Sequence, residues 1–309
     1  MKIVVTGGCG FIGSHLCKEI LRSWEGDNTD NHLFNLDDIT YSGNLDNVKE
    51  IEDNPNYTLL VGDIADKDIW KLLPRGIDVI INCANNVVIH TNIMGTYRGL
   101  EYARIHGSKF VQVGSNEEYG ETLEKVGSKE TDICNPKTPY AATRLAATQL
   151  ALSYHYTNNV PVIVTRGCNT YGPNQYSTKL IPFFIKNILS NKPCTIYGDG
   201  DNMRQWIHVE DHVKGILFAM NTSESGEIYN IGTNVDKSVI EIFEILQGIF
   251  PQAQRVGVND KPGHVKHHKV NWDKIMEKGW KPMIEFDDGF KKTIQWYQDN
   301  KKFLGEDAK

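Results

Sequence analysis

The sequence Thr6-Gly7-Gly8-Cys9-Gly10-Phe11-Ile12-Gly13 decides the fold of this chain of 309 residues. It follows a short β-branched run, residues 2–6, and opens a segment, residues 11–24, whose apolar side chains recur at helical spacing. Glycines at these positions let the backbone turn sharply and approach an anion, which then faces the N-terminus of the helix. The stretch therefore predicts a strand, a tight turn and a helix that bind the pyrophosphate of a dinucleotide.

Two aspartates follow the next predicted strands. Asp37 comes directly after residues 32–36, so its carboxylate can accept hydrogen bonds from both hydroxyls of an adenosine ribose and would repel a 2′-phosphate. We therefore expect NAD rather than NADP as the cofactor. Asp63 follows the strand predicted at residues 57–61 and is expected to meet the adenine.

The first half of the chain alternates predicted strands with predicted helices. The strands are 2–6, 32–36, 57–61, 77–81, 110–113 and 160–165, and the helices are 11–24, 66–73, 91–106 and 140–156. This alternation predicts an α/β fold, a Rossmann-type doubly wound parallel sheet over residues 1–168. Residues 169–309 are richer in proline and glycine. They predict a smaller mixed α/β substrate-binding domain. The boundary between the two domains is expected to be interleaved, so that some segments of 169–309 return to the first domain.

Composition excludes several classes of protein. The chain has 33 Lys+Arg against 39 Asp+Glu and a net charge of −6, which is unlike a nucleic-acid-binding protein. No apolar run reaches the length of a membrane span, and no leader sequence is recognisable, so we expect a cytoplasmic protein without a membrane partner. The six cysteines form no CxxC pair and the histidines have no ligand spacing, so no metal site is expected.

Further motifs closely resemble the extended short-chain dehydrogenase/reductases that act on nucleotide sugars, and within them the dTDP-glucose 4,6-dehydratase branch. In order along nearly the whole chain they are residues 36–47, 139–144, 169–176, 179–182, 197–200, 208–212, 229–232 and 262–264. The resemblance implies a homodimer that pairs the helices predicted at 91–106 and 140–156. It also implies a dTDP- or UDP-hexose as the substrate.

The resemblance implies a three-step reaction. The C4 hydroxyl of the sugar is oxidised by NAD⁺, water is eliminated across C5 and C6, and hydride returns to C6. Tyr140 would take the C4 hydroxyl proton with help from a cation one helical turn away, Arg144. Ser115 would contact the C4 oxygen and Glu117 would remove the C5 proton. Glu118, beside it, is expected to be solvated.

The resemblance also implies binding residues. Cofactor contacts are expected from Gly7, Gly10, Phe11, Ile12, Gly13, Asp37, Thr40, Asp63, Ile64, Ala84, Tyr140 and Arg144. Substrate contacts are expected from Asn169, Lys179, Leu180, Tyr197, Arg204 and His264.

Three features depart from the family pattern. Asn116 stands where the family has an acidic residue that protonates the C6 hydroxyl, and an amide cannot do this. Arg144 stands in place of a lysine and is bulkier and planar. The segment 84–92 is about ten residues shorter than its counterpart in the family, judged from the resemblance.

These departures leave alternatives open. A nucleotide-sugar epimerase or C4 oxidoreductase needs no acid at position 116, although Glu117 argues for chemistry at C5. A protein that binds NAD and a nucleotide sugar with impaired catalysis would also tolerate Asn116, Arg144 and a short loop.

Overall fold

The computed structural model describes residues 1–27, 30–40, 42–85, 89–122 and 126–305. Tyr41, in the motif 36–47, and residues 86–88, in the short segment after Ala84, lie outside the described residues.

A seven-stranded, fully parallel sheet forms the centre of the molecule. Its strands in spatial order are β3 (Tyr57–Val61), β2 (His32–Asp37), β1 (Lys2–Thr6), β4 (Val79–Asn82), β5 (Lys109–Ser115), β6 (Val162–Gly167) and β10 (Glu227–Ile231). The strand order reverses between β1 and β4, as in a doubly wound sheet, so the predicted fold class is confirmed. Strands β4 and β6 are buried throughout because helices cover both faces, which explains the apolar runs at residues 79–81 and 162–164.

Two helical layers sandwich this sheet. Helices α1 (Phe11–Ser23) and α5 (Val209–Thr222) pack together on one face. Helices α2 (Thr96–His106) and α3 (Pro139–Asn158) cover the other, and a turn of π-helix leads into α2. The helix predicted at residues 66–73 is wrong, because only a short 3₁₀ turn forms before Pro74.

The later half of the chain builds a second, smaller core. It contains a mixed sheet of β7 (Asn169–Tyr171), β9 (Met203–His208), β11 (Asp236–Ser238) and β13 (His267–His268), and a parallel pair of β8 (Cys194–Tyr197) and β12 (Arg255–Val258). Helices α4 (Leu180–Leu189), α6 (Val239–Ile249) and α8 (Phe286–Asp299) pack around it, and α7 (Asp273–Glu277) contacts β10. Helix α5 and strand β10 belong to the central layers although they come from this half.

None of the helices in the described ranges combines the length and the apolar character that a membrane crossing requires.

Candidate active site

One cleft lies at the carboxyl ends of β1, β2, β4 and β5 and extends to the start of α4. Most of the residues expected from the sequence line it: Gly7, Gly10, Phe11, Ile12, Gly13, Asp37, Thr40, Ile64, Ala84, Ser115, Asn116, Glu117, Tyr140, Asn169 and Lys179. The topology therefore gathers residues separated by more than a hundred positions into one place.

The N-terminus of α1 opens into this cleft without a cap. Gly10 precedes the helix and offers no side-chain oxygen, and the first turn carries no acidic side chain. A Cβ atom at Gly13 would lie 2.1 Å from the carbonyl oxygen of Gly7, so the turn can close only with glycine there. Free backbone N–H groups and the positive end of the helix dipole suit a pyrophosphate, so these residues fit a dinucleotide.

Asp37 suits the ribose end of such a cofactor. Its side chain lines the cleft and accepts hydrogen bonds from the backbone N–H groups of Cys9 and Ile39, both at 2.8 Å. Burial raises the pKa of Asp37, and these two hydrogen bonds oppose the rise. Each carboxylate oxygen keeps a second lone pair that can accept a bond from a ribose hydroxyl.

Asp63 is not among the residues that line the cleft. One of its oxygens accepts from the backbone N–H of Ala65 at 2.8 Å, and the other lies 2.9 Å from Nε2 of His90. Its neighbour Ile64 does line the cleft and is buried.

The Ser115 turn, residues 115–119, presents three of the expected catalytic residues. Ser115 ends β5 and its hydroxyl accepts a hydrogen bond from the backbone N–H of Glu117 at 3.2 Å. The Glu118 carboxylate accepts from the backbone N–H of Ser115 at 3.0 Å. This reciprocal capping fixes the turn, which places Ser115, Asn116 and Glu117 against the cleft.

The expectation that Glu118 is solvated is wrong. Its side chain is fully buried and accepts from Nε of Arg166 at 2.8 Å and from the hydroxyl of Thr148 at 3.1 Å. A carboxylate is buried here because a guanidinium from the neighbouring strand β6 and the capped turn satisfy it.

The carboxyl of Glu117 lines the cleft, where three positive charges act on it. Burial raises its pKa, and the positive charges of Lys179, Arg204 and Arg144 oppose the rise. The other carboxyls that line the cleft in the described part of the chain, Asp37 and Asp38, lie at the end of β2, with two strands between β2 and β5.

Tyr140 enters the cleft from the first turn of α3, which Thr138 caps. Its hydroxyl oxygen accepts a hydrogen bond from Nδ2 of Asn85 at 2.8 Å. Burial raises the pKa of Tyr140, the Arg144 charge and the Asn85 hydrogen bond lower it, and Glu117 raises it.

Arg144 lies beneath the cleft rather than in its lining. It is buried, and its Nη2 donates a hydrogen bond to the carbonyl oxygen of Val113. Its Nε has no hydrogen-bond partner within the part of the chain that the structure describes.

The expected substrate residues fall into two groups. Asn169 and Lys179 line the cleft, and Oδ1 of Asn169 accepts from Nδ2 of Asn116 at 3.4 Å. Arg204 does not line the cleft, but its positive charge acts on Glu117, and it donates hydrogen bonds to the carbonyl oxygens of Met203 and Val265.

The second group lies outside the cleft lining. The Nζ of Lys261 is 4.0 Å from the centre of the Tyr197 ring, and Nδ1 of His264 is 2.5 Å from Oδ1 of Asp260. Leu180 begins α4 and packs against the second core.

The sequence reasoning missed several residues of the cleft. Four of them are Asn85, Thr170, Gln175 and Tyr176. The last three lie within residues 169–176, which the sequence analysis noted for the family resemblance but not as site residues. Asn85 carried a weaker signal, its position three residues after the end of the central strand β4. Among the described residues, no group of three His, Cys, Asp or Glu side chains is placed to hold a metal ion.

Comparison with known proteins shows which family the chain resembles. The model of the NAD dependent epimerase/dehydratase family matches residues 3–232. A dTDP-glucose 4,6-dehydratase of Streptomyces niveus is 37% identical over 97% of this chain and 94% of its own.

Two solved structures show the same similarity in three dimensions. The dTDP-glucose 4,6-dehydratase DesIV from Streptomyces venezuelae, solved with NAD bound, superposes with a TM-score of 0.94 at 33% identity over 99% of each chain. A UDP-glucuronic acid 4-epimerase from Bacillus cereus, also with NAD, gives a TM-score of 0.90 at 28% identity over 97% of this chain and 100% of its own.

Proposed function

Because this chain belongs to the NAD-dependent epimerase/dehydratase family, we propose that it is a nucleotide-sugar 4,6-dehydratase of the dTDP-glucose 4,6-dehydratase type. The observation that carries the proposal is the position of Glu117. Its carboxyl lies in the same cleft as Tyr140, Ser115 and the glycine turn of the cofactor site. Oxidation at C4 alone does not need a second proton carrier there, whereas removal of the C5 proton does.

NAD⁺ would supply a reversible hydride carrier, which removes hydride from C4 and returns it to C6, so the cofactor is regenerated in each cycle. Its pyrophosphate would be held by the N-terminus of α1 and its ribose by Asp37. In this proposal residues 1–168 bind mainly the cofactor, and residues from 169 onward bind mainly the nucleotide sugar. The hexose would carry dTDP or UDP.

Tyr140 would accept the proton of the C4 hydroxyl. Arg144, one turn further along α3, supplies a positive charge that favours the deprotonated phenol. The Ser115 hydroxyl, held at the end of β5, would bind the C4 oxygen and keep it near Tyr140.

Glu117 would carry out both proton transfers of the elimination. Once C4 is a ketone, the C5 proton becomes acidic and can move to the Glu117 carboxylate. The C6–O bond then breaks, and the departing oxygen takes a proton from the same carboxyl and leaves as water. One carboxyl suffices for both steps because the proton that it takes from C5 is the proton that it gives to the departing oxygen. Burial raises the pKa of Glu117, which favours the protonated form between the two steps. This route needs no acid at Asn116.

An epimerase or C4 oxidoreductase is the second candidate. It is favoured by Asn116 and by the similarity to the Bacillus cereus 4-epimerase. A protein that binds the same ligands without turnover is the third, and the buried guanidinium of Arg144 favours it.

Product analysis by mass spectrometry distinguishes the three. The purified protein would be incubated with NAD⁺ and a panel of dTDP-, UDP- and GDP-hexoses. Loss of the mass of one water supports the dehydratase, an isomer of unchanged mass supports an epimerase, and intact substrate throughout the panel supports a binding protein.

We also propose a homodimer and a cytoplasmic location. Apolar side chains stay exposed around α2 and at the end of α3, including Met94, Ile105 and Tyr156, and could be covered by a second copy. All six cysteines are free, as expected in a reducing compartment. Light scattering at several concentrations tests the dimer.

A further inference from the structure

The hydroxyl of Tyr140 has one direct hydrogen-bond donor in the described part of the chain, and it comes from a residue that the sequence did not single out. Nδ2 of Asn85 lies 2.8 Å from the phenolic oxygen. Asn85 follows β4 and lines the cleft, so its amide reaches Tyr140 across the cleft from another element. The phenolic oxygen is the atom that would receive the substrate proton.

The cation on the same helix does not make such a contact. Arg144 is buried, and its Nη2 is committed to the carbonyl oxygen of Val113. It therefore acts on Tyr140 through charge alone, and the phenolate would still need a donor at its oxygen.

We propose that Asn85 is a catalytic residue, whose amide N–H stabilises the deprotonated oxygen of Tyr140 while that oxygen takes the proton of the C4 hydroxyl. The proposal rests on the proposed function. In this step the O–H bond of the sugar breaks and a new O–H bond forms on Tyr140. The Asn85 donor binds the charged form more strongly than the neutral phenol, because hydrogen bonds to ionised groups are stronger.

Several charged groups act on Tyr140 from the elements packed around it. Arg144, from its own helix, favours the phenolate, whereas Glu117 and Glu118, from the Ser115 turn, oppose it. Asn85, from the loop after β4, is a neutral donor that favours the phenolate. Its removal should therefore raise the pKa of Tyr140 while all three charges stay in place.

The test measures this pKa directly. The protein would be labelled with ¹³Cζ-tyrosine and saturated with NAD⁺ alone, and the Tyr140 signal would be assigned from its loss in Tyr140→Phe. Its pKa would then be compared in the parent, Asn85→Ala, Asn85→Asp and the control Asn158→Ala. Asn158 lies exposed at the far end of the same helix. Asn85→Asp keeps the size of the side chain if the alanine variant does not fold.

We expect the pKa of Tyr140 to rise by about one unit in Asn85→Ala, which leaves about tenfold less tyrosinate at a given pH. Asn85→Asp should raise it at least as far, because a carboxylate adds negative charge, and Asn158→Ala should match the parent. An unchanged or lower pKa in Asn85→Ala overturns the proposal, as does an unchanged or lower pKa in Asn85→Asp if only that variant folds.

Kinetics with dTDP-glucose as the probe separate this proposal from the proposed function. In Asn85→Ala the pH dependence of single-turnover C4 oxidation should move upward with the pKa of Tyr140. A pH profile that stays in place while the pKa moves contradicts a catalytic role for Asn85. If the parent converts no nucleotide sugar of the panel, the proposed function fails, and the catalytic role of Asn85 fails with it. The pKa series would still decide whether the hydrogen bond exists.

Discussion

Arg166 and Glu118 form an ion pair in the interior of the protein, with 2.8 Å between Nε of the arginine and Oε2 of the glutamate. Their side chains are 1% and 0% exposed, and the Arg166 guanidinium also lies over the ring of Tyr119. The other oxygen of Glu118 accepts the backbone N–H of Ser115. The pair therefore ties strand β6 to the turn that carries the candidate catalytic residues.

Breaking this pair should destabilise the protein strongly. We expect Glu118→Ala to lower the free energy of unfolding by about 3–5 kcal/mol, because it leaves the Arg166 charge buried without a partner. Chemical unfolding followed by circular dichroism measures this loss. The double variant Glu118→Ala, Arg166→Met should recover part of it, since no unpaired charge remains.

A surface pair provides the control for this measurement. Glu19 pairs with Arg22 at the exposed face of α1, and Glu19→Ala should cost at most about 1 kcal/mol. Equal losses in Glu118→Ala and Glu19→Ala would mean that the buried pair does not hold the turn.

Asp37 should govern the choice and affinity of the cofactor. We expect Asp37→Ser to weaken NAD⁺ binding by about tenfold or more, since a charge-assisted hydrogen bond to the ribose is lost, and to reduce the preference over NADP⁺. Titration calorimetry with both dinucleotides measures the two dissociation constants. Asp38→Asn is the matched control, because Asp38 also lines the cleft but its carboxylate binds the backbone N–H of Thr40. A parent protein that prefers NADP⁺ would contradict the role given to Asp37.

Local sequence signals predicted the glycine turn and six of the seven strands of the central sheet, because a turn and a single strand each leave a short-range pattern; strand β10 was not predicted. Strand β3 was predicted with the bounds that the structure has, and Asp37 falls at the end of β2 where the second predicted strand stops. Strands buried on both faces leave continuous apolar runs, and these are readable without knowing the partner strand.

The features of the fold and of the site that the sequence did not predict depend mainly on contacts between distant residues. Glu118 carries no local mark of burial, because its partner Arg166 is 48 positions away and meets it only once β5 and β6 pair. The two-residue strand β13 is too short for any periodicity. Asn85 and Tyr140 are 55 positions apart, so their hydrogen bond also required the assembled fold.

Glu117→Gln should separate the oxidation from the elimination. The amide keeps the size of the side chain but cannot take the C5 proton, so dehydration should slow by about 10²–10⁴-fold or more. Oxidation at C4 should continue through Tyr140. Rapid mixing would follow the absorbance of reduced nicotinamide, and quenched samples would report the 4-keto sugar by mass spectrometry. If the variant turns over like the parent, Glu117 is not the base.

The positive charge of Lys179 should set the pH range in which elimination is fast, because it lowers the pKa of Glu117. Glu117 must be deprotonated to act as a base, so the rate falls as pH drops through its pKa, which burial holds above the ordinary range. The Lys179 charge lowers that pKa, so Lys179→Met should raise it and move the acidic limb of kcat to higher pH by about one unit. Lys179→Arg keeps the charge and should leave the limb in place. A limb at the parent pH in Lys179→Met would contradict this assignment.

Asn116→Asp tests whether the amide is a missing acid. Asn116 is buried, its Nδ2 donates to Asn169 at 3.4 Å, and its Oδ1 lies 3.5 Å from the Ser115 hydroxyl. An aspartate of nearly the same shape, buried beside the Glu117 carboxyl, would have a raised pKa and could stay protonated. It could then donate to the departing C6 oxygen and accelerate elimination, within the roughly 10²–10⁴-fold range of a general acid.

Single-turnover formation of the 4-keto-6-deoxy sugar in the parent and in Asn116→Asp measures this acceleration. Equal or slower formation, with cofactor still bound, would mean that the bond from Asn116 to Asn169 matters more than a proton at this position. The site would then be built around the amide, with Glu117 as its sole proton carrier for the elimination.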